Sequence, residues 1–195
     1  VFNLIAELAW KTADPGMIFL DAINRYNPLP QIGEIKATNP CGEQPLHPFD
    51  ACNLGSINLE SMVKLDKTEK IIVNYSELGH TVKTMVRFMD NVNDANEGPI
   101  PEVEKTVKIN RRIGMGEMGW ADMLVQLGLP YDSEEALELA EKVQRFISQR
   151  AKEASVELAI EKGVFGSFEG SKYDTGKLEA RVRNVERTTI APTGT

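Results

Sequence analysis

The chain has 195 residues, 42% hydrophobic and 26% charged, with a formal net charge of −7. That composition describes an ordinary folded protein and excludes bulk binding to nucleic acid or to anionic membranes. No apolar run approaches the roughly 18 residues of a spanning helix, the two cysteines make no disulfide framework, and no signal-peptide pattern opens the chain, so the expected compartment is the cytoplasm.

In chain order, residues 2–12 read as helix, with Leu4, Ile5, Leu8 and Ala9 on one face. Asp14-Pro15-Gly16 breaks it, and Met17 to Ile23 reads as a short apolar helix. Residues 26–50 carry Pro28, Pro30, Pro40, Pro45 and Pro48, which forbids a long helix and predicts a structured loop with short extended pieces. Asn53 to Leu59 reads as a short strand. Residues 76–93 carry an apolar stripe of Leu78, Val82, Met85, Met89 and Val92, with Ser76 as the N-cap. Pro99 and Pro101 end that segment, and Ile109 to Met115 reads as a strand. Trp120 to Leu127 is helical up to Gly128, and Ser133 caps a helix that ends at Gly163. Its inward residues are expected to be Ala136, Leu137, Ala140, Val143, Ile147, Ala151, Ala154 and Leu158. A Gly- and Ser-rich loop over 166–177 precedes a last strand from Val185 to Ala191. The fold class is α/β with helices dominant.

Asn39-Pro40-Cys41-Gly42-Glu43-Gln44-Pro45-Leu46 carries the densest chemistry. In an extended segment, positions i−2, i and i+2 project to one side, so Asn39, Cys41 and Glu43 are expected to face one small substrate together. Cys52 follows eleven residues after Cys41. Taken alone, a lone cysteine is as readily a small buried hydrophobe, Glu43 a solvated glutamate and Asn39 a turn residue before proline. Cys41, His47 and Cys52 lack the tight paired spacing of a zinc site, so no metal is expected. Gly114-x-Gly116-x-x-Gly119 matches a dinucleotide fingerprint as a string. The charged Lys108-Ile109-Asn110-Arg111-Arg112 before it is wrong for a buried parallel strand, and close backbone packing explains the glycines better.

NPCGEQPL, followed by Asp50-Ala51-Cys52-Asn53-Leu54-Gly55-Ser56-Ile57-Asn58-Leu59, resembles the catalytic chain of ribonucleotide reductases. The Pro-Cys-Gly-Glu-Gln form resembles the adenosylcobalamin-dependent class II. Arg111-Arg112-Ile113-Gly114-Met115-Gly116-Glu117-Met118-Gly119-Trp120-Ala121-Asp122 resembles a segment from the middle of the family's barrel. Thr189-Ile190-Ala191-Pro192-Thr193-Gly194-Thr195 resembles its substrate-phosphate strand and loop. The resemblance implies a partial segment of a ten-stranded α/β barrel, with residues 1–195 a piece of one catalytic domain. Within it, a finger loop over about 27–50 carries the catalytic cysteine, and the phosphate-loop strand runs over about 185–195.

The resemblance also implies roles. Cys41 is the thiyl-radical residue that abstracts the 3′-hydrogen of the ribose, Glu43 the base on the 3′-hydroxyl, and Asn39 a hydrogen-bonding partner of the substrate hydroxyls. Cys52 is one half of a reducing dithiol whose partner lies outside this chain. Pro192, Thr193, Gly194 and Thr195 hold the substrate phosphates. The implied cofactor is adenosylcobalamin, with an external dithiol such as thioredoxin as reductant. The implied substrate is a ribonucleoside di- or triphosphate, and the implied parent is a homodimer with allosteric nucleotides. The segment alone is expected to be inactive. Two readings of other classes stand beside this one. A Cys-dependent hydrolase would pair Cys41 with His47 or His80, and a noncatalytic helical interaction segment would retain the motif by descent.

Overall fold

The computed structural model describes residues 1–192. Helix α1 (Phe2–Thr12) ends at Ala13 in the left-handed region. Along the expected apolar face Ile5 and Ala9 are half-buried, while Leu4 and Leu8 are exposed. Helix α2 is shorter and later than the sequence suggests, Leu20–Arg25. Residues 26–50 form the expected loop. It holds a 3-10 turn at Pro30–Ile32 and a small antiparallel hairpin of β1 (Ala37–Thr38) and β2 (Pro45–Leu46).

The core begins at strand β3 (Asn53–Asn58). A 3-10 turn then leads into a hairpin of β4 (Val63–Leu65) and β5 (Ile71–Val73). Helix α3 (Tyr75–Ala95) starts one residue before the expected cap. Asn74, not Ser76, is the N-cap, its side chain accepting from the Glu77 N–H. Leu78, Val82, Val86 and Met89 are the buried apolar residues of α3, and Asp90 and Asn93 continue their stripe as buried polar anchors.

Pro101 opens a helix rather than ending one. Helix α4 (Pro101–Asn110) has proline in its first turn, where no N–H is needed, and Glu102 and Glu104 facing the positive end of the helix dipole. It consumes residues expected to be strand, so β6 runs over Ile113–Met118. Strands β3 and β6 pair in parallel from Asn53↔Ile113 to Asn58↔Met118. On the other side of β6, residues 186–189 run parallel to it. The Ile113 and Met115 N–H groups donate to the Glu186 and Arg187 carbonyls, and the Thr189 N–H donates to the Met115 carbonyl. The expected final strand is therefore present as a third parallel line with a single bridge rather than a full ladder.

Helix α5 (Trp120–Leu127) and the long α6 (Glu134–Lys162) follow as expected, with Ser133 accepting from the Ala136 N–H and Gly163 at the end. Helices α3 and α6 cover one face of the parallel layer. Leu78, Val82, Val86 and Met89 meet Val143, Ile147, Ala151 and Leu158, with Ile57, Ile113 and Met115 of the sheet below. Each such burial contributes roughly 1.5–3 kcal/mol for the larger side chains. Leu137 is 61% exposed, contrary to expectation, because it is turned about 100° from Ala136. Among the described residues no helix is long and apolar enough to cross a membrane.

Candidate active site

The two faces of the parallel layer differ, because alternate residues project oppositely. Ile57, Ile113 and Met115 point into the helical core. The opposite face presents Leu54, Ser56, Gly114 and Gly116, and Cys52 precedes β3 in the same phase. The 26–50 loop comes down on this face. Gln44, 2% exposed, lies over Gly114: a Cβ there would sit 3.0 Å from Gln44 Nε2, 3.0 Å from Thr189 Cγ2 and 2.5 Å from Leu54 Cδ2. A Cβ at Gly116 would sit 3.0 Å from the Thr189 carbonyl oxygen. These glycines permit close approach of loop and strand and cradle no dinucleotide phosphate. Gly119, at φ +70°, ends the string as the left-handed entry to α5.

Residues 39–44 are a turn, not an extended run, which corrects the expected projection of Asn39, Cys41 and Glu43 to one side. The Asn39 N–H donates to the Gln44 carbonyl (3.1 Å) and the Gly42 N–H to the Asn39 carbonyl (3.0 Å). Asn39 Oδ1 accepts from the Gln44 N–H at 3.0 Å, so one end of the amide braces the turn. Gly42 has φ +87°, a conformation that favours glycine. The turn holds Cys41 exposed at its tip. Glu43 is half-buried, and its Oε2 is buried without a hydrogen-bond partner among the described residues. Its backbone carbonyl accepts a hydrogen bond from Thr189 Oγ1 at 3.1 Å.

Cys52 is a free, half-buried thiol whose sulfur lies 3.4 Å from the Asn53 carbonyl, to which it donates. Burial raises its pKa far above the usual thiol range, and Glu186, Asp50 and Glu43 raise it further against the opposing charge of Arg112. The thiol is therefore protonated at neutral pH. Glu43 is thus close enough for its charge to act on the Cys52 thiol.

Behind both lies a buried charge cluster that the sequence pattern did not single out. Arg112, 0% exposed, donates from Nε to Asp50 Oδ2 at 2.6 Å. Its Nη1 meets Glu186 Oε2 at 2.6 Å by charge proximity rather than an aligned hydrogen bond, and its Nη2 lies 3.1 Å from His47 Nδ1. An arginine only donates, so His47 Nδ1 accepts and Nε2 carries the proton toward the Gly33 carbonyl, 3.2 Å away. Burial and Arg112 both lower the His47 pKa. Neutral His47 thus ties the base of the loop to the sheet, which leaves it no free role beside Cys41. His80 is exposed on α3. The signal for this cluster was the charged Arg111-Arg112 pair at the entrance to a strand. Arg111 has a parallel role, donating from Nε to buried Asp90 at 2.8 Å.

Glu117, also unforeseen, lies on the helical face beside a cavity of about 310 Å³ lined by Leu59, Trp120, Val143 and Ile190. Burial pushes its carboxyl up to about 7. Of the residues expected to hold phosphate, Pro192 is exposed at the end of the third parallel line, and Thr193, Gly194 and Thr195 lie outside the described residues. Among the described residues no group of three His, Cys, Asp or Glu side chains is arranged to hold a metal ion.

The chain is similar to known proteins. The profile for the ribonucleotide reductase barrel domain matches residues 1–191. The chain is 50% identical over its whole length to a vitamin B12-dependent ribonucleoside-diphosphate reductase of Thermoplasma acidophilum, covering 25% of that protein. It is 45% identical over its whole length to a reductase of the same name from Mycobacterium tuberculosis, covering 27% of it. The chain thus spans about a quarter of the length of these curated relatives. The solved alpha subunit of the Actinobacillus ureae class Id ribonucleotide reductase superposes with a TM-score of 0.77, covering 98% of this chain and 36% of that one; at 21% identity it shows the fold alone. The chain belongs to the ribonucleotide reductase barrel-domain family.

Proposed function

We propose that this chain is the central segment of an adenosylcobalamin-dependent ribonucleoside-diphosphate reductase, one piece of a single catalytic barrel domain. The observation that carries the reading is the contrast of two thiols beside the cysteine-bearing turn. Cys41 is exposed on the turn, Cys52 is half-buried and protonated, and Glu43, two residues after Cys41 and among the charges that raise the Cys52 pKa, has a buried oxygen without a partner among the described residues. The names of the relatives favour a diphosphate substrate and cobalamin.

The surroundings of Cys41 fit a bulky cofactor. The thiol is exposed, and a Cβ on neighbouring Gly42 would meet nothing within 4 Å among the described residues. Adenosylcobalamin, when bound, supplies the one-electron oxidation of the Cys41 thiol. The Cys41 sulfur radical then takes the 3′-hydrogen of the ribose, forming S–H and leaving a carbon radical. Glu43 accepts the 3′-hydroxyl proton, and the 2′-hydroxyl takes a proton from the Cys52 dithiol and departs as water, leaving a 3′-ketone with the radical on the 2′ carbon. Cys52 and a partner thiol elsewhere in the parent supply two electrons and a second proton as they become a disulfide; with the proton returned by Glu43, these complete the 2′ C–H bond and convert the ketone back to a 3′-hydroxyl carbon radical. Cys41 returns its hydrogen to the 3′ carbon and is again a radical. A thioredoxin-type dithiol resets the pair. Pro192, Thr193, Gly194 and Thr195 supply the backbone N–H and hydroxyl groups that bind the diphosphate.

The test is deoxyribonucleotide formation by the full-length protein with a dithiol reductant, with and without adenosylcobalamin. Product that requires cobalamin supports the reading. Product without it retains the reductase and removes the cobalamin assignment.

A further inference from the structure

We propose that Thr189 is the positioning residue for the Glu43 side of the cysteine-bearing turn, an inference that rests on the reductase reading for its catalytic consequence but not for its geometry. Glu43 Oε2 is buried and unpartnered among the described residues, so no side-chain bond fixes that oxygen. What fixes the residue is its backbone. Asn39 holds the turn from within, through Gln44. The bond from outside is Thr189 Oγ1 to the Glu43 carbonyl, 3.1 Å across 146 residues of sequence.

Thr189 is itself held rigidly. It is 8% exposed, its N–H donates to the Met115 carbonyl at 3.0 Å, and its methyl packs over Gly114 beside Gln44. Its hydroxyl thus reaches the turn from a fixed sheet position. The same short line of chain continues to Pro192, the first of the residues proposed to hold the phosphates. A single hydroxyl therefore sets the proton acceptor relative to the strand that enters the substrate's phosphate site. Loop carboxylates without such a tie sample more than one position, and small misplacements of a reacting group cost large factors in rate.

Thr189→Val keeps the shape and removes the donor, while Thr189→Ser keeps the donor. In the full-length enzyme Thr189→Val is expected to lower kcat about tenfold with KM changed less than about twofold, and Thr189→Ser to recover most of the loss. A second readout needs no turnover. Amide hydrogen exchange in residues 39–46 of Thr189→Val is expected to speed about tenfold, while residues 113–118 exchange as in the unsubstituted protein. Unchanged kcat, or unchanged exchange in 39–46, overturns the proposal. A full-length protein that forms no deoxyribonucleotide at all overturns the reductase reading instead, and the exchange comparison then decides the positioning claim by itself.

Discussion

Arg112 Nη2 lies 3.1 Å from His47 Nδ1, and that contact joins the cysteine-bearing loop to the residue that leads into β6. Arg112 also holds Asp50 and Glu186. Replacing it with leucine would leave Asp50 in a dry interior without its counter-ion and Glu186, whose side chain is 25% exposed, without its partner. Arg112→Leu is expected to lose about 3–5 kcal/mol of stability. Urea denaturation checks this; a loss below about 1 kcal/mol would mean that water reaches the cluster.

The same contact sets a pH dependence. The folded state holds His47 neutral, with a pKa lowered from 6.5. Below pH 6.5 the unfolded chain takes up a proton that the folded chain resists, so stability falls as the pH drops through that value. His47→Gln keeps an acceptor and cannot titrate. Its stability is expected to be flatter than the unsubstituted protein's below pH 6.5, measured by thermal melts across a pH series.

Glu117 acts with the opposite sign. Its carboxyl titrates near 7 in the folded chain against 4.5 when unperturbed. Between those values the folded state keeps a proton that the unfolded state has released, so stability falls as the pH rises and the full penalty applies above about 7. The carboxyl is partly exposed, and solvent screening limits the penalty to on the order of 1 kcal/mol. Glu117→Gln is expected to be the more stable protein at pH 8 and equal at pH 4. A glutamine variant that is less stable at pH 8 would contradict the desolvated placement.

Capping supplies a local test. Asn74→Ala removes the side chain that accepts from the Glu77 N–H and is expected to cost about 1 kcal/mol, while Ser76→Ala should stay within about 0.5 kcal/mol of the unsubstituted protein. Equal losses at the two positions would move the start of α3.

The long-range motifs were legible in the sequence because each carries its own chemistry. The proline-punctuated loop, the β3 strand, α5 with its Gly128 stop and α6 between Ser133 and Gly163 all lie where periodicity and capping put them. Helix α4 was hidden by Pro101, since the same residue stops a helix from within and starts one from its first turn. The geometry of 39–44 was hidden because the turn depends on Asn39 bonding Gln44 across it, which residue spacing alone does not express. Arg112, Thr189 and Glu117 were invisible as functional candidates for a common reason. Their partners stand 62 to 146 residues away or are a cavity, and no local pattern encodes such a contact.

The most direct test is deoxyribonucleotide formation by the full-length protein, supplied with adenosylcobalamin and a dithiol, beside its Cys41→Ser variant. Serine keeps the turn but offers a far stronger O–H bond in place of S–H. The account predicts product from the unsubstituted protein and none from Cys41→Ser, with the variant's fold intact by circular dichroism. Product from a folded Cys41→Ser protein would contradict it, because the radical would then have to reside on another residue.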